Sequence, residues 1–408
     1  MLRAGHIRLE YKPAGPQCTP RDTHHRGFAV QSKLPGTETT IFTVMSRMAQ
    51  DYNAINLSQG FPDFDCPARL KDLVSHHLQD QKNQYPPMAG IPALRQAISA
   101  KVHTLYGFAA DQETEVTVTS GATEALFDAV QATVQAGDEV IIFDPAYDSY
   151  EPAILMAGGK PVRIPLRLPD YSIDWDRVAD ALTPKTRLII INTPNNPCGV
   201  TLAQRDLDSL AEIIRDTEVL VLSDEVYEHM VFDEKQHLSV LSHPLLKERS
   251  FAVFSFGKTY HATGWKLAYC IARPALTEEF RKIHQFVTFT TTSFLQYAIA
   301  DFMHECPEHA VELSSFYQAK RDYFCALLQD SRFSFTPSKG TYFQLVEYSE
   351  ISNKDDIAFA RELTQEKGVA AIPLAPFYGE APDARIVRFC FCKEDSTLER
   401  AAEILCAL

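Results

Sequence analysis

The sequence lacks three features that would place it in other protein classes. No apolar run is long enough to span a bilayer, so we expect no membrane association. Basic residues are not in excess: 39 Lys and Arg stand against 53 Asp and Glu, and the net charge of -14 disfavours nucleic-acid binding. The nine cysteines include no Cys-x-x-Cys pair, so we expect reduced thiols in a cytoplasmic compartment. The expected partners are small molecules and other copies of the chain.

A chain of 408 residues is too long for one simple hydrophobic core, so we expect more than one domain. Composition and apolar pattern divide it into four segments. Residues 1–33 have frequent Arg, His, Pro and Gly and no apolar period, which predicts a disordered extension without a secretory signal. Residues 34–60 are expected to form an N-terminal arm that joins a small domain. Residues 61–290 are predicted to form the large domain, and residues 291–408 the small C-terminal domain.

Short apolar strands alternate with amphipathic helices from about residue 90. This alternation is typical of βαβ units and predicts an α/β domain with a mostly parallel, buried sheet. After residue 290, long helices followed by β segments predict a smaller α+β domain. The predicted strands of the large domain cover residues 115–119, 139–143, 187–192, 219–223 and 251–256, and its helices include 91–105, 124–135 and 202–215.

The most informative segment is Ser255-Phe-Gly-Lys258-Thr-Tyr-His-Ala-Thr-Gly-Trp-Lys266, which follows the last of these strands. An amine at this place suits a Schiff base with an aldehyde that lies beside a phosphate. A partly dry pocket and the neighbouring cation would lower the amine's pKa, as attack on a carbonyl requires. Ser-x-Gly-Lys is also typical of other phosphate-binding or turn segments, so this motif needs support from elsewhere.

Polar side chains also follow two other predicted strands. Asp224 directly follows the strand 219–223, and Tyr227 lies three residues further along. Open α/β sheets bind ligands at the carboxyl ends of their strands. An acid there can pair with a pyridinium nitrogen and keep it protonated. Asn196 lies between two prolines and offers a fixed amide. Each has a simpler interpretation: Asp224 as a helix cap, and Asn196 as an Asx turn.

Three further positions suit an anion, an aromatic ring and a carboxylate. The turn at Gly121 and Ala122 precedes a predicted helix, so its backbone N–H groups favour an anion, although such turns occur without one. Tyr147 follows a strand and would stack on a pyridine ring, or else belong to the core. Arg388 lies within a predicted strand, where a charge needs an anionic partner, and Arg385 is the weaker candidate.

Taken in order, these segments resemble the class I and II aminotransferases, which have the fold type I of pyridoxal 5'-phosphate (PLP) enzymes, over nearly the whole chain after residue 33. The resemblance implies a large domain with a mostly parallel seven-stranded sheet, a smaller α+β domain, a PLP cofactor and a homodimer with shared active sites. It also implies a ping-pong transfer of an amino group to a 2-oxo acid.

The resemblance further assigns a role to each candidate residue. Lys258, Asp224 and Tyr227 are the expected catalytic residues, with Lys258 as the Schiff-base lysine and Asp224 as the partner of the pyridinium. The expected ligands of the phosphate, phenolate and ring are Gly121, Ala122, Tyr147, Asn196, Tyr227, Ser255, Lys266 and, from the neighbouring subunit, Tyr85. The expected substrate-binding residues are Gly60, Asn196 and Arg388.

Lys266 departs from many relatives, which carry arginine there, and lysine keeps the charge without the bidentate fork. The same lysine occurs in the subgroup that resembles methionine and kynurenine aminotransferases. No second arginine for a side-chain carboxylate is evident, so we expect a neutral, bulky donor such as methionine, an aromatic amino acid or kynurenine. Candidate aromatic walls of its pocket are Phe42, Phe61, Phe289 and Tyr378.

Two other functions use the same residues. A β-lyase of cysteine conjugates or cystathionine would share the site, and release of pyruvate without an added oxo acid would distinguish it. A regulator that only senses PLP would need a DNA-binding domain, for which residues 1–33 are too short. No metal site is expected, because His304, Cys306 and His309 have no second ligand group of suitable spacing.

Overall fold

The computed structural model of the chain describes residues 31–408, so most of the predicted N-terminal extension lies outside the described residues. No helix in this part of the chain has the length and apolar character that a membrane span requires. The helices are α1 (Ile41–Asp51), α2 (Ala68–Gln79), α3 (Pro92–Tyr106), α4 (Ala122–Thr133), α5 (Tyr150–Met156), α6 (Trp175–Ala181), α7 (Gln204–Ile214), α8 (Phe256–Thr259), α9 (Pro274–Val287), α10 (Ser293–Glu305), α11 (Glu308–Leu327), α12 (Asp356–Glu362) and α13 (Asp395–Leu405). The strands are β1 (Ile55–Asn56), β2 (Val116–Thr119), β3 (Glu139–Asp144), β4 (Lys160–Pro165), β5 (Thr186–Asn192), β6 (Leu220–Asp224), β7 (Ser250–Ser255), β8 (Ala268–Ile271), β9 (Phe343–Glu347), β10 (Val369–Ala370), β11 (Ile372–Pro373) and β12 (Ile386–Cys390).

Seven strands form one large sheet in the order β2-β8-β7-β6-β5-β3-β4. The pairs from β7 through β6, β5 and β3 to β4 are all parallel, and β8 runs antiparallel to both of its neighbours. The predicted α/β fold with a mostly parallel seven-stranded sheet is therefore confirmed.

Strand β5 shows why these sequences form buried parallel strands. Leu188 and Ile190 pack in the core on one face of the sheet, while Ile189 and Ile191 pack in the core on the other. Successive side chains of a strand point to opposite faces, so a continuous apolar run fits a strand that helices cover on both sides. Full burial of each such side chain stabilises the fold by about 2 kcal/mol.

The helices begin and end at residues with recognisable capping chemistry. Helix α3 has Pro92 at its first position, where the missing N–H costs nothing, and ends at Gly107 with a φ of 67°. At the start of α7, the Asp206 carboxylate accepts a hydrogen bond from the backbone N–H of Ala203 at 2.8 Å. These capping residues determine where α3 ends and where α7 begins.

A second core surrounds the antiparallel sheet β11-β12-β9 and the short parallel pair β1-β10. Helix α1 contributes Met45 to this core, and we propose that residues 34–60 form an arm of the small domain. Cys390 and Cys392 are buried here with their sulfur atoms 3.1 Å apart, on one side of the chain. The sheet places β12 in its middle, so residues of β12 are held from both edges.

Helix α10 packs against α2 and α3 of the large domain. Its residues Leu295, Ala298, Ile299 and Phe302 belong to the core beneath the large sheet. We therefore propose that the boundary between the domains lies after α10 and not at residue 290, because the apolar face of α10 is buried on the large-domain side.

Candidate active site

The carboxyl ends of three neighbouring parallel strands meet at one cavity. Strands β5, β6 and β7 end in Asn192, Asp224 and Ser255, and all three residues line a cavity of about 210 Å³. Open α/β sheets bind ligands at this edge because the strands end there and the loops diverge. The large sheet thus determines where the polar side chains of the site are presented.

One end of the cavity is built to hold an anion. Gly121 has a φ of 88°, and the helix α4 begins directly after it. A Cβ at Gly121 would lie 2.9 Å from Cε of Lys266 and 3.0 Å from its Nζ, so only glycine lets the ammonium approach the turn this closely. The N-terminus of a helix and an ammonium together fit a phosphate group.

Asp224 places a buried acid against the same cavity. The hydroxyl of Tyr150 donates to Oδ2 of Asp224 at 2.6 Å, and burial raises the pKa of Asp224 to about 6. Tyr147 lines the cavity nearby and packs edge-on against Tyr150 with ring centroids 5.6 Å apart. A carboxylate in so dry a place gains most from a cationic partner, which a protonated pyridine nitrogen provides.

Lys258 follows β7 on the short helix α8 and places its amine in the cavity. Its Nζ donates to the carbonyl of Gly60 at 3.1 Å and to the hydroxyl of Tyr342 at 2.7 Å. Burial lowers the pKa of the Lys258 amine to about 8. A neutral amine is therefore accessible near physiological pH, as attack on an aldehyde requires.

Arg388 reaches the cavity from β12 of the small domain and is fully buried. Its guanidinium donates to Oδ1 of Asn196 at 2.6 Å and to the carbonyl of Ser58 at 3.0 Å. It lies 3.8 Å from the centre of the Phe343 ring and 5.2 Å from that of Phe42. Its Nε has no acceptor among the described residues, which suits a carboxylate ligand.

The structure brings nearly all the predicted site residues to this one cavity. Those that line it are Gly60, Gly121, Ala122, Tyr147, Asn196, Asp224, Tyr227, Ser255, Lys258, Lys266, Arg388 and the candidate wall residue Phe42. Together they fit PLP in their chemistry: an anion cradle, a buried acid and an amine of lowered pKa are the groups that its phosphate, pyridine nitrogen and aldehyde would need.

A few predicted residues lie elsewhere. Tyr85 is 83% exposed, does not line the cavity of its own chain, and packs against Phe289 with ring centroids 5.4 Å apart. Phe61 is exposed, and its ring lies 5.0 Å from the Lys393 ammonium. Tyr378 packs against the small-domain core. Neither Phe61 nor Tyr378 lines the cavity.

Several residues of the site were not predicted from the sequence. Tyr150 and Tyr342 bond Asp224 and Lys258 from distant segments, and no local motif marks them. Other unpredicted residues that line the cavity are Gln59, Thr123, Leu126, Asn192, Val226, Gly257, Thr263, Leu267 and Phe343.

A buried cluster of charges supports the anion cradle from behind. His284 is fully buried, with Nδ1 2.6 Å from Oε1 of Glu124 and 3.6 Å from Oδ2 of Asp128. Its Nε2 lies 3.1 Å from the carbonyl of Met88. The other oxygen of Glu124 accepts the N–H of Ser120, so the cluster holds the turn that precedes α4.

The distances in this cluster favour a proton over a metal ion. The three side chains are the one group within residues 31–408 whose atoms lie close enough to share a metal. Tetrahedral ligands of zinc stand about 3.3 Å apart, whereas the nitrogen and oxygen here are 2.6 Å apart. We interpret His284 as an imidazolium that donates to Glu124 and Met88.

The cluster predicts a pH dependence of stability. Burial opposes the charge on His284, but the carboxylates of Asp128 and Glu124 outweigh it and raise the pKa to about 9 from 6.5. Because the folded-state pKa is raised, this stabilisation is present below about pH 6.5 and lost as the pH rises through about 9. We expect wild type to lose about 2 kcal/mol more than His284→Gln between pH 7 and pH 10, measured by urea unfolding. Parallel curves for the two proteins would contradict the assignment.

Comparison with known proteins places this chain among aminotransferases. The family model described as aminotransferase class I and II matches residues 52–405. The chain is 50% identical over 375 residues to the methionine aminotransferase of Escherichia coli (strain K12), covering 92% of this chain and 97% of that one. It is 32% identical over 413 residues to kynurenine–oxoglutarate transaminase 1 of Mus musculus, covering 92% and 96% of the two chains.

Solved structures of aminotransferases match the fold of this chain over nearly its whole length. An Escherichia coli protein with a methionine aminotransferase function matches with a TM-score of 0.92 at 50% identity, covering 94% of this chain and 100% of that one. The N-succinyldiaminopimelate aminotransferase of Mycobacterium tuberculosis matches with a TM-score of 0.90 at 37% identity, covering 93% and 100%.

Proposed function

This chain belongs to the class I and II aminotransferase family and is a PLP-dependent transaminase, and from that membership we propose which residues carry the reaction and which amino donors it accepts. One observation supports the assignment of roles above all others. A single cavity joins an amine of lowered pKa, a buried acid and a buried guanidinium, in Lys258, Asp224 and Arg388.

The large domain would hold the cofactor. PLP supplies an electron sink for the charge that remains when the donor's Cα loses its proton. Gly121, Ala122, Ser255 and Lys266 would bind its phosphate at the N-terminus of α4. Asp224, fixed by the hydroxyl of Tyr150, would keep the pyridine nitrogen protonated. Tyr147 would stack on the ring, and Tyr227 and Asn196 would donate to its phenolate oxygen.

Lys258 would both attach the cofactor and move the proton. Once the donor has displaced it, its Nζ would remove the proton from Cα of the donor and deliver it to the aldehyde carbon of the cofactor. Addition of water would then release the donor as a 2-oxo acid and leave the amino group on the cofactor. A pKa of about 8 suits this base, because a substantial share of the amine is neutral at working pH. A second oxo acid then accepts the amino group by the reverse steps.

Arg388 would bind the α-carboxylate of the donor. Its bonds to Asn196 and Ser58 and its position between two aromatic rings fix the guanidinium plane, while Nε remains available. Arg388 is the sole arginine among the described residues that line the cavity. Phe42 and Phe343 form apolar walls beside it. These features support a neutral donor side chain such as that of methionine, an aromatic amino acid or kynurenine.

The surface around Tyr85 supports a homodimer with shared active sites. Tyr85 is 83% exposed and packs on Phe289, and Phe286 nearby in sequence is 90% exposed. Large apolar side chains grouped on a surface are typical of an interface between proteins. In such a dimer, Tyr85 would serve the phosphate of the partner's site, and Phe289 would lie near its substrate.

The cysteines support a cytoplasmic location. All eight cysteines within residues 31–408 are free thiols, and several are buried in the two cores. Proteins that keep this many unpaired thiols are typical of a reducing compartment. We therefore infer that the enzyme works in the cytoplasm.

A comparison of amino donors tests the proposed function. We expect kcat/KM for L-methionine, L-phenylalanine and L-kynurenine to exceed that for L-aspartate by at least about tenfold, because a second carboxylate would be buried without a cation. The assay follows the absorbance of the bound cofactor after rapid mixing with each donor, and then again after a 2-oxo acid is added. An equal response to L-aspartate would contradict the neutral pocket. Pyruvate released from a cysteine conjugate without an oxo acid would indicate the β-lyase instead.

A further inference from the structure

The Lys258 amine is held by two groups that lie far away in the sequence. Its Nζ donates to the hydroxyl of Tyr342 at 2.7 Å and to the carbonyl of Gly60 at 3.1 Å. The hydroxyl of Tyr342 itself donates to the same Gly60 carbonyl. The three residues therefore form a closed set of hydrogen bonds, which we call the amine clamp.

Packing fixes the hydroxyl of Tyr342 in place. Its side chain is 1% exposed, and its ring contacts those of Tyr227, Tyr317 and Phe343, with centroids 5.2, 5.6 and 4.9 Å away. A Cβ on Gly60 would lie 2.8 Å from the Phe343 ring, so glycine is needed for this close approach. A rigid ring and a backbone carbonyl thus present two acceptors at fixed points.

The number of donors and acceptors then determines how the amine points. A neutral primary amine has two N–H donors and one lone pair, whereas an ammonium has three donors and no lone pair. The amine clamp offers two neutral acceptors. With both donors bound, the lone pair of a neutral Lys258 must point away from Tyr342 and Gly60. An ammonium at the same place would leave one donor without a partner in the clamp, which agrees with the lowered pKa.

We propose that Tyr342 is a positioning residue: with the Gly60 carbonyl, it holds the free Lys258 amine by both N–H groups and directs its lone pair into the cavity. This inference rests on the proposed role of Lys258 as the base that removes the Cα proton. Tyr342 bonds neither substrate nor cofactor in this account. It acts by restricting the orientations that Lys258 adopts between its release and the proton transfer.

Tyr342→Phe tests the clamp, because it removes one hydroxyl and keeps the ring. We expect kcat with L-methionine to fall by about 30-fold, while KM changes by less than about twofold, since Arg388 is untouched. The isotope effect from deuterium at Cα should rise, because proton transfer becomes slower than the other steps. Tyr317→Phe is the matched control: its hydroxyl contacts Nδ1 of His261 at 2.9 Å and lies in the same aromatic cluster. It should behave as wild type.

A second measurement does not depend on catalysis. Full-length protein prepared without cofactor is treated with acetic anhydride at a series of pH values, and acetylation of Lys258 is quantified by mass spectrometry. The folding of each variant is checked by circular dichroism. Loss of the phenol acceptor destabilises the ammonium more than the amine, so the pKa of Lys258 should be lower in Tyr342→Phe than in wild type.

The outcomes separate this inference from the proposed function. An unchanged kcat and isotope effect in Tyr342→Phe, or equal effects of Tyr317→Phe, would overturn the positioning role. An unchanged pKa of Lys258 in Tyr342→Phe would overturn the clamp itself. If wild type transaminates no donor, the proposed function fails, while the acetylation experiment still decides whether the clamp exists.

Discussion

Replacement of Lys258 by alanine is expected to lower the rate of transamination by at least about 10⁴-fold, because one side chain performs two tasks. In the proposed function, its amine attaches the cofactor and then moves the Cα proton. Both tasks depend on the buried position that lowers its pKa to about 8. Single-turnover mixing with L-methionine measures the rate. Mass spectrometry after borohydride reduction shows whether the cofactor is retained covalently.

Lys266→Ala is the matched control for this experiment. Lys266 lines the same cavity and also carries an ammonium, but it stands at the anion cradle beside Gly121. We expect this variant to bind PLP more weakly and still to retain it after reduction.

Added methylamine should partly restore proton transfer in Lys258→Ala, because it supplies a base of similar chemistry. Activity above about 1% of wild type without added amine would contradict the role of Lys258.

Asp224→Asn is expected to lower kcat by about 10³-fold at saturating PLP and donor. The substitution keeps the shape of the side chain but removes the buried charge that would keep the pyridine nitrogen protonated. Removal of one preorganised electrostatic group typically lowers kcat by roughly two to three orders of magnitude. The rate is measured over a range of PLP concentrations, so that weak binding is distinguished from slow chemistry.

Tyr150→Phe separates the charge of Asp224 from its position. The hydroxyl of Tyr150 donates to Oδ2 of Asp224 at 2.6 Å, and its removal leaves the carboxylate in place. We expect a loss of about tenfold, far smaller than that of Asp224→Asn. If the two variants lose the same activity, the hydrogen bond that orients the acid matters as much as its charge, and the expected tenfold effect is wrong.

The strand ends of this site were predictable from the sequence because short-range patterns determine them. Apolar runs such as 187–192 and 219–223 mark buried strands, and Asp224 follows from where the second run stops. Parallel topology then brings the strand ends to one edge. Local patterns of this kind were sufficient to predict the fold class. Together with the family resemblance, they were also sufficient to predict the cofactor and most of the residues that line the cavity.

Contacts between distant segments were not predictable in the same way. Lys258 is separated from Tyr342 by 84 residues and from Gly60 by 198, and His284 from Glu124 by 160. Nothing in the neighbourhood of Tyr342 distinguishes a tyrosine that bonds an amine from one that fills a core. Helix α10 shows the same limit, since an apolar face indicates burial without telling which core it joins.

The division of the site between two cores has a consequence for how donor preference evolves. The residues proposed to contact the cofactor lie mainly at strand ends of the large sheet, whereas Arg388 comes from the middle strand of a separate three-stranded sheet. Substitutions that repack the small core would move the guanidinium and the walls around it, and leave the phosphate cradle and Asp224 unchanged. New amino donors are therefore reachable by mutation without an intermediate that has lost its cofactor.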